Sequence, residues 1–176
     1  AMLVLQFLID TLAGLAALVC LLRLLLQLSR ADFRNPAARA LLQLSDPLVL
    51  PLRRLVPPLG RVDSASALAV LLVLAAKLLL LQWLGREWNP PIFPLVLVLA
   101  RDAVQLVLHT YLWGIMLHAL LSMLAPDSRS PAQSLLYSLC EPVLRPIRQR
   151  IPTLNGLDLS PLWALIAIQV LLLLVR

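Results

Sequence analysis

The sequence has few charged residues, few aromatic residues and little cysteine. Charged residues make up 14% of its 176 positions and aromatic residues 5%, whereas soluble domains carry about 25% charged residues. The two cysteines form no CxxC pair and are too few for a disulfide-stapled secreted scaffold. Apolar residues reach 61%, and the mean hydropathy is +0.90. We therefore expect an integral membrane protein rather than a soluble enzyme or a disordered chain.

The sequence also lacks the motifs of common enzymes. It contains no P-loop, no GxSxG, no HExxH and no close pair of carboxylates within an apolar run. His109 and His118 lie nine positions apart, so on one helix they project from opposite faces and cannot ligate a single haem iron. We expect no catalytic residue, no cofactor and no metal site.

Four apolar runs are long enough, or nearly long enough, to cross a bilayer, which takes about 20 residues each. The third exceeds the length of a perpendicular span, so we expect it to begin with an interfacial or bent stretch, and the fourth is short. Small residues at Ala13, Gly14 and Ala17 are expected to allow close approach of helices. The predicted fold is all-α with four transmembrane helices, at residues 2–28, 64–84, within 92–124, and 161–175.

An internal repeat organises the chain. Residues 35–63 align without gaps to residues 130–158, at an offset of 95 positions. The alignment predicts two tandem units, 1–88 and 89–176, each composed of a span, an amphipathic segment and a span. Because both units would have the same orientation, we expect a pseudo-twofold axis along the membrane normal. The matched residues are Pro47/Pro142, Pro51/Pro146, Arg53/Arg148, Pro57/Pro152 and Asp63/Asp158, together with Pro36/Pro131.

The distribution of positive charge predicts the orientation. The formal net charge is +6. Most arginines lie in the two repeated segments or just before them, at Arg30, Arg34 and Arg129, whereas the connection between the units holds only Arg86. Positive loops stay on the cytoplasmic side. We therefore expect a protein of the bacterial inner membrane, with both repeated segments cytoplasmic and both termini extracytoplasmic. No basic stretch is interleaved with aromatics, so we expect no nucleic-acid partner.

Each repeated segment carries its own helix signals. Asn35 and Ser130 are suitable N-caps because their side-chain oxygens can accept a backbone hydrogen bond, and each is followed by a proline at the first helical position. We expect a short helix to about Ser45 and a second helix that starts at Asp46-Pro47, with the same restart at Glu141-Pro142 in the second copy. Pro51 and Pro146 predict a bend one turn later in each segment. Asp63 and Asp158 are expected to cap the spans that follow.

The repeated segments are amphipathic, with leucines along one stripe and arginines beside it. A kinked amphipathic helix is suited to lie in the membrane interface with its arginines among lipid headgroups. A re-entrant element or a docking face for a protein partner is the alternative. The candidate contacts to phosphate or to an acidic partner are Arg53, Arg54, Arg148 and Arg150.

Two ionisable residues fall well inside predicted spans. Asp10 and Lys77 lie at similar depth in helices that run in opposite directions, so the sequence predicts an ion pair. The pair either fixes the helix register or belongs to an ion pathway, and the sequence leaves both open. Arg23 and His118 occupy matched positions near the cytoplasmic ends of their spans, where we expect them to snorkel to the headgroups.

The motifs R-x-D-F-x-N-P at Arg30–Pro36 and D-P-x-x-x-P-x-R-R-x-x-P-x-x-G-x-x-D-S at Asp46–Ser64 resemble those of the YggT family of bacterial membrane proteins. A second copy at Glu141–Pro161 departs from the pattern at Glu141, Gln149 and Gly156. The resemblance implies a multi-pass protein linked to osmotic-shock tolerance and to potassium uptake. Relatives in chloroplasts and cyanobacteria resemble assembly factors for cofactor attachment to cytochrome b6.

Two functions are consistent with these observations. The first is a non-enzymatic membrane scaffold, or an assembly or stress-tolerance factor, that recruits protein partners or a second copy through its amphipathic segments. The second is a small channel or transporter component for potassium or another cation, with Asp10 and Lys77 near the path. The almost continuous leucine of the second and fourth predicted spans favours the first function, because few polar residues remain to line a pore.

Overall fold

The computed structural model describes residues 2–57, 62–85, 92–124, 130–150 and 158–176, with the side chains of residues 92–94 left aside. These residues form six helices, and they contain no strand. The all-α prediction is therefore confirmed for the described part of the chain. In order the helices are α1 (Met2–Leu28), α2 (Pro36–Leu55), α3 (Ser64–Leu84), α4 (Ile92–Leu124), α5 (Pro131–Arg150) and α6 (Ser160–Leu174).

Three of these helices have the length and apolar character of membrane spans, namely α1, α3 and the stretch Leu95–Leu124 of α4. Many large apolar side chains on them are exposed, including Leu3 and Phe7 of α1, as expected for surfaces that contact lipid. Helix α6 is apolar but has 15 residues, which corresponds to about 22 Å against a hydrocarbon layer of about 30 Å. The described part of the chain is thus all-helical, and three of its helices are suited to span a membrane.

The described residues group into two compact units. The first lies within residues 1–24 and 41–106, and the second within residues 25–40 and 107–176. The second unit has a buried core where α4, α5 and α6 pack together, formed by Ile115, Cys140, Leu144, Ala164 and Ile168. Each unit contains one cluster of charged side chains at the end of its amphipathic helix, as described below.

The amphipathic helices begin where the sequence predicts. Asn35 Oδ1 accepts a hydrogen bond of 2.9 Å from the backbone N–H of Ala37, and Ser130 Oγ accepts one of 3.2 Å from Gln133. Each side chain thereby satisfies one of the free N–H groups of a helix start. The two N-cap predictions are confirmed.

The expected restart of each helix at Pro47 and Pro142 is wrong, because α2 and α5 each continue as one helix of 20 residues. A proline removes one backbone donor, but the neighbouring bonds of the helix remain. In α2 the two residues just before Pro47 are also bonded to another helix, since the side chain of Arg23 in α1 donates hydrogen bonds to Ser45 and Asp46. In α2 this tertiary contact adds to the helical bonds, whereas α5 continues through Pro142 although no arginine stands at position 118.

Helix α1 ends at Leu28, and Arg30, two residues later, has a positive φ of 54°. The N–H of Ala31 donates to the carbonyl of Leu26 at 2.9 Å, as in a Schellman ending. The small-residue stretch of α1 is mixed in its packing: Ala17 is fully buried, whereas a Cβ atom on Gly14 would meet nothing within 4 Å.

Candidate functional site

The first unit contains a partly buried group of polar side chains, which we call the arginine cluster; its members are Arg23, Ser45, Asp46, Arg53, Asp63 and Ser66. Arg23 comes from α1 and is only 4% exposed. Its Nη1 atom donates to Ser45 Oγ and to Asp46 Oδ1, both at 2.8 Å. The expectation that Arg23 snorkels to the headgroups is therefore wrong, because its guanidinium is buried and hydrogen-bonded to residues of α2.

Asp63 is the centre of the arginine cluster. Its Oδ2 atom accepts from Arg53 Nη2 at 2.7 Å and from Ser66 Oγ at 2.8 Å, and Arg23 Nε lies 3.8 Å away. Burial by itself raises the pKa of Asp63, but the hydrogen bonds from Ser66 and Arg53 and the two positive charges outweigh it and hold the pKa below its usual value. The carboxylate thus stays ionised inside the protein.

The prediction that Asp63 caps α3 is wrong as well. Asp63 occupies the N-cap position, but its side chain makes no capping hydrogen bond. Its Oδ2 atom is taken by Arg53 and Ser66, and its Oδ1 atom has no partner among the described residues. Two arginines and two aspartates balance the charge of this cluster, as a buried ionic group requires.

The second unit holds a related group at positions 95 residues further on, which we call the histidine cluster; its members are His118, Cys140, Glu141, Arg148 and Asp158. Arg148 Nε donates to Asp158 Oδ2 at 2.9 Å, and Arg148 Nη1 lies 3.7 Å from Glu141 Oε2. The hydrogen bonds from Ser160 and the charge of Arg148 outweigh burial and hold the pKa of Asp158 below its usual value. Unlike Asp63, Asp158 also accepts from the backbone N–H of Ser160, at 2.9 Å.

His118 stands where the first unit has Arg23. Its ring lies against Tyr137, with centroids 6.0 Å apart. Its Nδ1 atom is buried and has no hydrogen-bond partner among the described residues, and the same holds for Glu141 Oε2. Cys140, which takes the position of Ser45, is fully buried, and burial raises the pKa of its thiol to about 12.

A cavity of about 560 Å³ opens beside the histidine cluster. Its polar wall is formed by His118, Ser122, Arg148 and Asp158, and its apolar wall includes Met123, Leu162 and Leu165. The first unit has a smaller cavity of about 230 Å³, between α2 and α3, whose lining residues are all apolar.

A third charged group lies within the spans of the first unit. Lys77 Nζ is 2.9 Å from Asp10 Oδ1 and 3.8 Å from Asp102 Oδ2. Sequence reasoning pairs Lys77 with Asp10 but misses Asp102, which comes from α4. The lysine is mostly buried, whereas Asp10 is largely exposed. A charge in this environment is costly unless it is paired.

The other residues singled out in the sequence are placed as follows. Arg53 and Arg148 each donate to an aspartate ten positions further on, a spacing present in both halves of the sequence that signals the pairing. Arg54 and Arg150 are exposed at the ends of α2 and α5. Pro51 and Pro146 lie within those helices, Pro57 follows α2, and Pro152 lies outside the described residues.

Comparison with known proteins identifies the family. The family model described as CCB3/YggT matches residues 2–84 and again residues 97–176. An uncharacterised protein of Pseudomonas aeruginosa is 37% identical over 94% of this chain and 84% of its own length. YggT of Escherichia coli K12, also uncharacterised, is 33% identical over 90% of this chain and 81% of its own length. No solved structure matches the chain. The chain belongs to the CCB3/YggT family.

Proposed function

We propose that the protein is a non-enzymatic scaffold of the bacterial inner membrane that recruits a partner through the exposed faces of α2 and α5. The observation that carries this proposal is the composition of those faces. Helix α2 exposes Arg39 and Arg54 beside Leu44 and Leu55, and α5 exposes Arg145 and Arg150 beside Tyr137. A surface that combines arginine with large apolar side chains suits both lipid headgroups and a protein interface.

The same proposal fixes the topology. The chain comprises two tandem units, 1–88 and 89–176, with four spans and a pseudo-twofold axis along the membrane normal. Helices α2 and α5 start and end 95 positions apart, and the family model matches twice, both of which support the repeat. In this topology α6 is the fourth span, α2 and α5 lie on the cytoplasmic face, and both termini are extracytoplasmic.

The partner is an assembly or stress-response protein, or a second copy of the chain, held beside membrane lipids. A photo-reactive amino acid at Leu55, which is 77% exposed and adjacent to Arg54, tests this in living cells. We expect a discrete protein adduct at position 55 that disappears when Arg54→Glu is introduced. The matched control carries the photo-reactive residue at Leu12, which is 64% exposed on α1, and should give only lipid adducts. A protein adduct that survives Arg54→Glu contradicts the proposal.

A second function, a potassium pathway, is favoured by one observation. Lys77, Asp10 and Asp102 form a charged group inside the apolar helices, where ionisable residues usually have a function. Potassium flux into liposomes that contain the purified protein distinguishes the two functions, with empty liposomes and the variant Lys77→Met as controls. We expect no flux above that of empty liposomes. Potassium flux that is above that of empty liposomes and is altered by Lys77→Met would contradict the scaffold proposal and support the transport function.

A further inference from the structure

The histidine cluster contains one positive charge fewer than the arginine cluster. In the first unit, Arg23 and Arg53 face Asp46 and Asp63. In the second unit both acidic positions are kept, as Glu141 and Asp158, but Arg148 is the only arginine that pairs with them among the described residues. A neutral imidazole at position 118 supplies no charge. Among the described residues, one carboxylate of the second cluster therefore has no arginine of its own.

The same cluster leaves two polar atoms without a hydrogen bond. Arg23 donates to Asp46 in the first unit, whereas in the second unit Glu141 Oε2 and His118 Nδ1 are buried and make no hydrogen bond with any described residue. A buried polar atom left in this state destabilises the fold. His118 and Arg148 line one cavity, and Glu141 Oε2 lies 3.7 Å from Arg148 Nη1, so both atoms are close to that cavity.

There is also room for a ligand at this place. The cavity of about 560 Å³ reaches His118, Arg148 and Asp158 on one side, and its volume is in the range of small-molecule sites. On the other side Leu162, Leu165 and Met123 form an apolar wall. The cavity therefore offers carboxylate to a cationic head and hydrocarbon to an aliphatic stem.

We propose that this cavity binds an organic cation whose head is a guanidinium or a primary ammonium and whose stem is aliphatic. The head enters the cavity beside His118, near the place that corresponds to the one the guanidinium of Arg23 fills in the first unit, and it donates N–H groups to the carboxylate of Asp158, which lines the cavity. A guanidinium suits this role because it presents several donors in one plane. The stem lies along Leu162 and Leu165. The proposal uses the tandem repeat but is independent of the scaffold function.

The test uses butylguanidinium and butylammonium as probes on the full-length protein in detergent, with tryptophan fluorescence as the readout of thermal unfolding. We expect a saturable rise in Tm with either probe. Tetramethylammonium has the same charge but no N–H donor, so at equal ionic strength it should leave Tm unchanged. Butyrate, with the opposite charge, should also have no effect.

The variant His118→Arg provides the decisive comparison. The guanidinium of the new arginine should enter the site, so the Tm of the variant should be higher than that of the wild type. The variant should also bind butylguanidinium at least about tenfold more weakly, which corresponds to about 1.4 kcal/mol. Asp158→Asn should weaken the binding of butylguanidinium by a similar factor. Equal probe responses in the wild type and His118→Arg overturn the proposal, and so does the absence of a saturable shift in the wild type.

The reciprocal variant keeps the test independent of one substitution. Arg23→His gives the first unit the arrangement of the second, and it should lower Tm. Butylguanidinium should then restore part of the lost Tm, beyond the shift that it causes in the wild type. Arg23→Met, which offers no polar replacement, serves as the comparison for rescue. A variant with no gain in probe response contradicts the idea that the two positions are interchangeable.

Discussion

Arg23 Nη1 donates a hydrogen bond of 2.8 Å to Asp46 Oδ1, and this contact joins the apolar helix α1 to the proline-containing helix α2. The same nitrogen donates to Ser45, so one guanidinium holds the two residues that precede Pro47. The arginine is only 4% exposed, and removing one member of a buried ionic group leaves the others uncompensated.

We predict that Arg23→Met lowers the free energy of unfolding by about 3–5 kcal/mol, the range for breaking a buried ion pair. The measurement is unfolding of the purified protein in mixed micelles, followed by far-UV circular dichroism. Arg39→Met, at an exposed position of α2, is the matched control and should change stability by less than about 0.5 kcal/mol. If Arg23→Met lowered the free energy of unfolding by no more than Arg39→Met does, the arginine cluster would contribute little to stability.

Asp63 predicts a loss of stability in acid. Because its pKa is lower in the folded protein than the usual value of about 3.9, its contribution is fully present above that value and is lost as the pH falls through the folded pKa. Asp63→Asn should therefore melt below the wild type at pH 7, and the difference in Tm should shrink as the pH is lowered toward 3. A difference that is constant with pH would contradict the ionised state of Asp63.

Lys77 and Asp10 are expected to be energetically coupled, since Nζ and Oδ1 are 2.9 Å apart. Lys77→Met should destabilise the protein because it leaves the carboxylates of Asp10 and Asp102 without their cation. In the double variant Lys77→Met with Asp10→Asn part of that loss should be recovered, with a coupling energy of about 0.5–3 kcal/mol. Additive effects in this double-mutant cycle would mean that the contact has no energetic weight.

Cys140 should be inert in the folded protein. Burial raises its pKa to about 12, so the thiolate that reacts with maleimides is almost absent at pH 7.5. We expect no labelling by N-ethylmaleimide in mild detergent and complete labelling after denaturation in hot SDS, measured by intact-protein mass. The variant Cys140→Ser, which introduces the residue found at the matching position 45, should remove the labelling of this site after denaturation. Fast labelling of Cys140 in the native protein would contradict its burial.

The helices were predictable from the sequence because local signals agree with one another. The apolar runs gave the bounds of α1 and α3, and the Asn35-Pro36 and Ser130-Pro131 pairs marked where α2 and α5 begin. The interior prolines misled the prediction because each removes only one backbone donor of a helix whose other bonds remain. In α2 the continuous helix is also supported by a contact from α1, 23 residues away from Asp46. A local pattern does not contain such a contact.

The charged clusters were only partly predictable. The spacing of ten between Arg53 and Asp63 recurs between Arg148 and Asp158, and this repetition is a signal for pairing. The burial of Arg23 had no such signal, since an arginine near the end of a span is equally compatible with the headgroups. Its partners depend on the position of α2 against α1, which sequence periodicity does not determine.

The hydrogen bonds of Asn35 have a consequence for biogenesis. Its Nδ2 atom donates to Pro131 O at 2.7 Å and to Ser134 Oγ at 2.6 Å, and residues 25–40 belong to the same compact unit as residues 107–176. At about 5–20 residues per second, a ribosome needs several seconds to synthesise the 96 positions that separate Asn35 from Pro131. During that interval Asn35 lacks these two partners, so its contacts within the second unit form only after residues 131 and 134 have been synthesised.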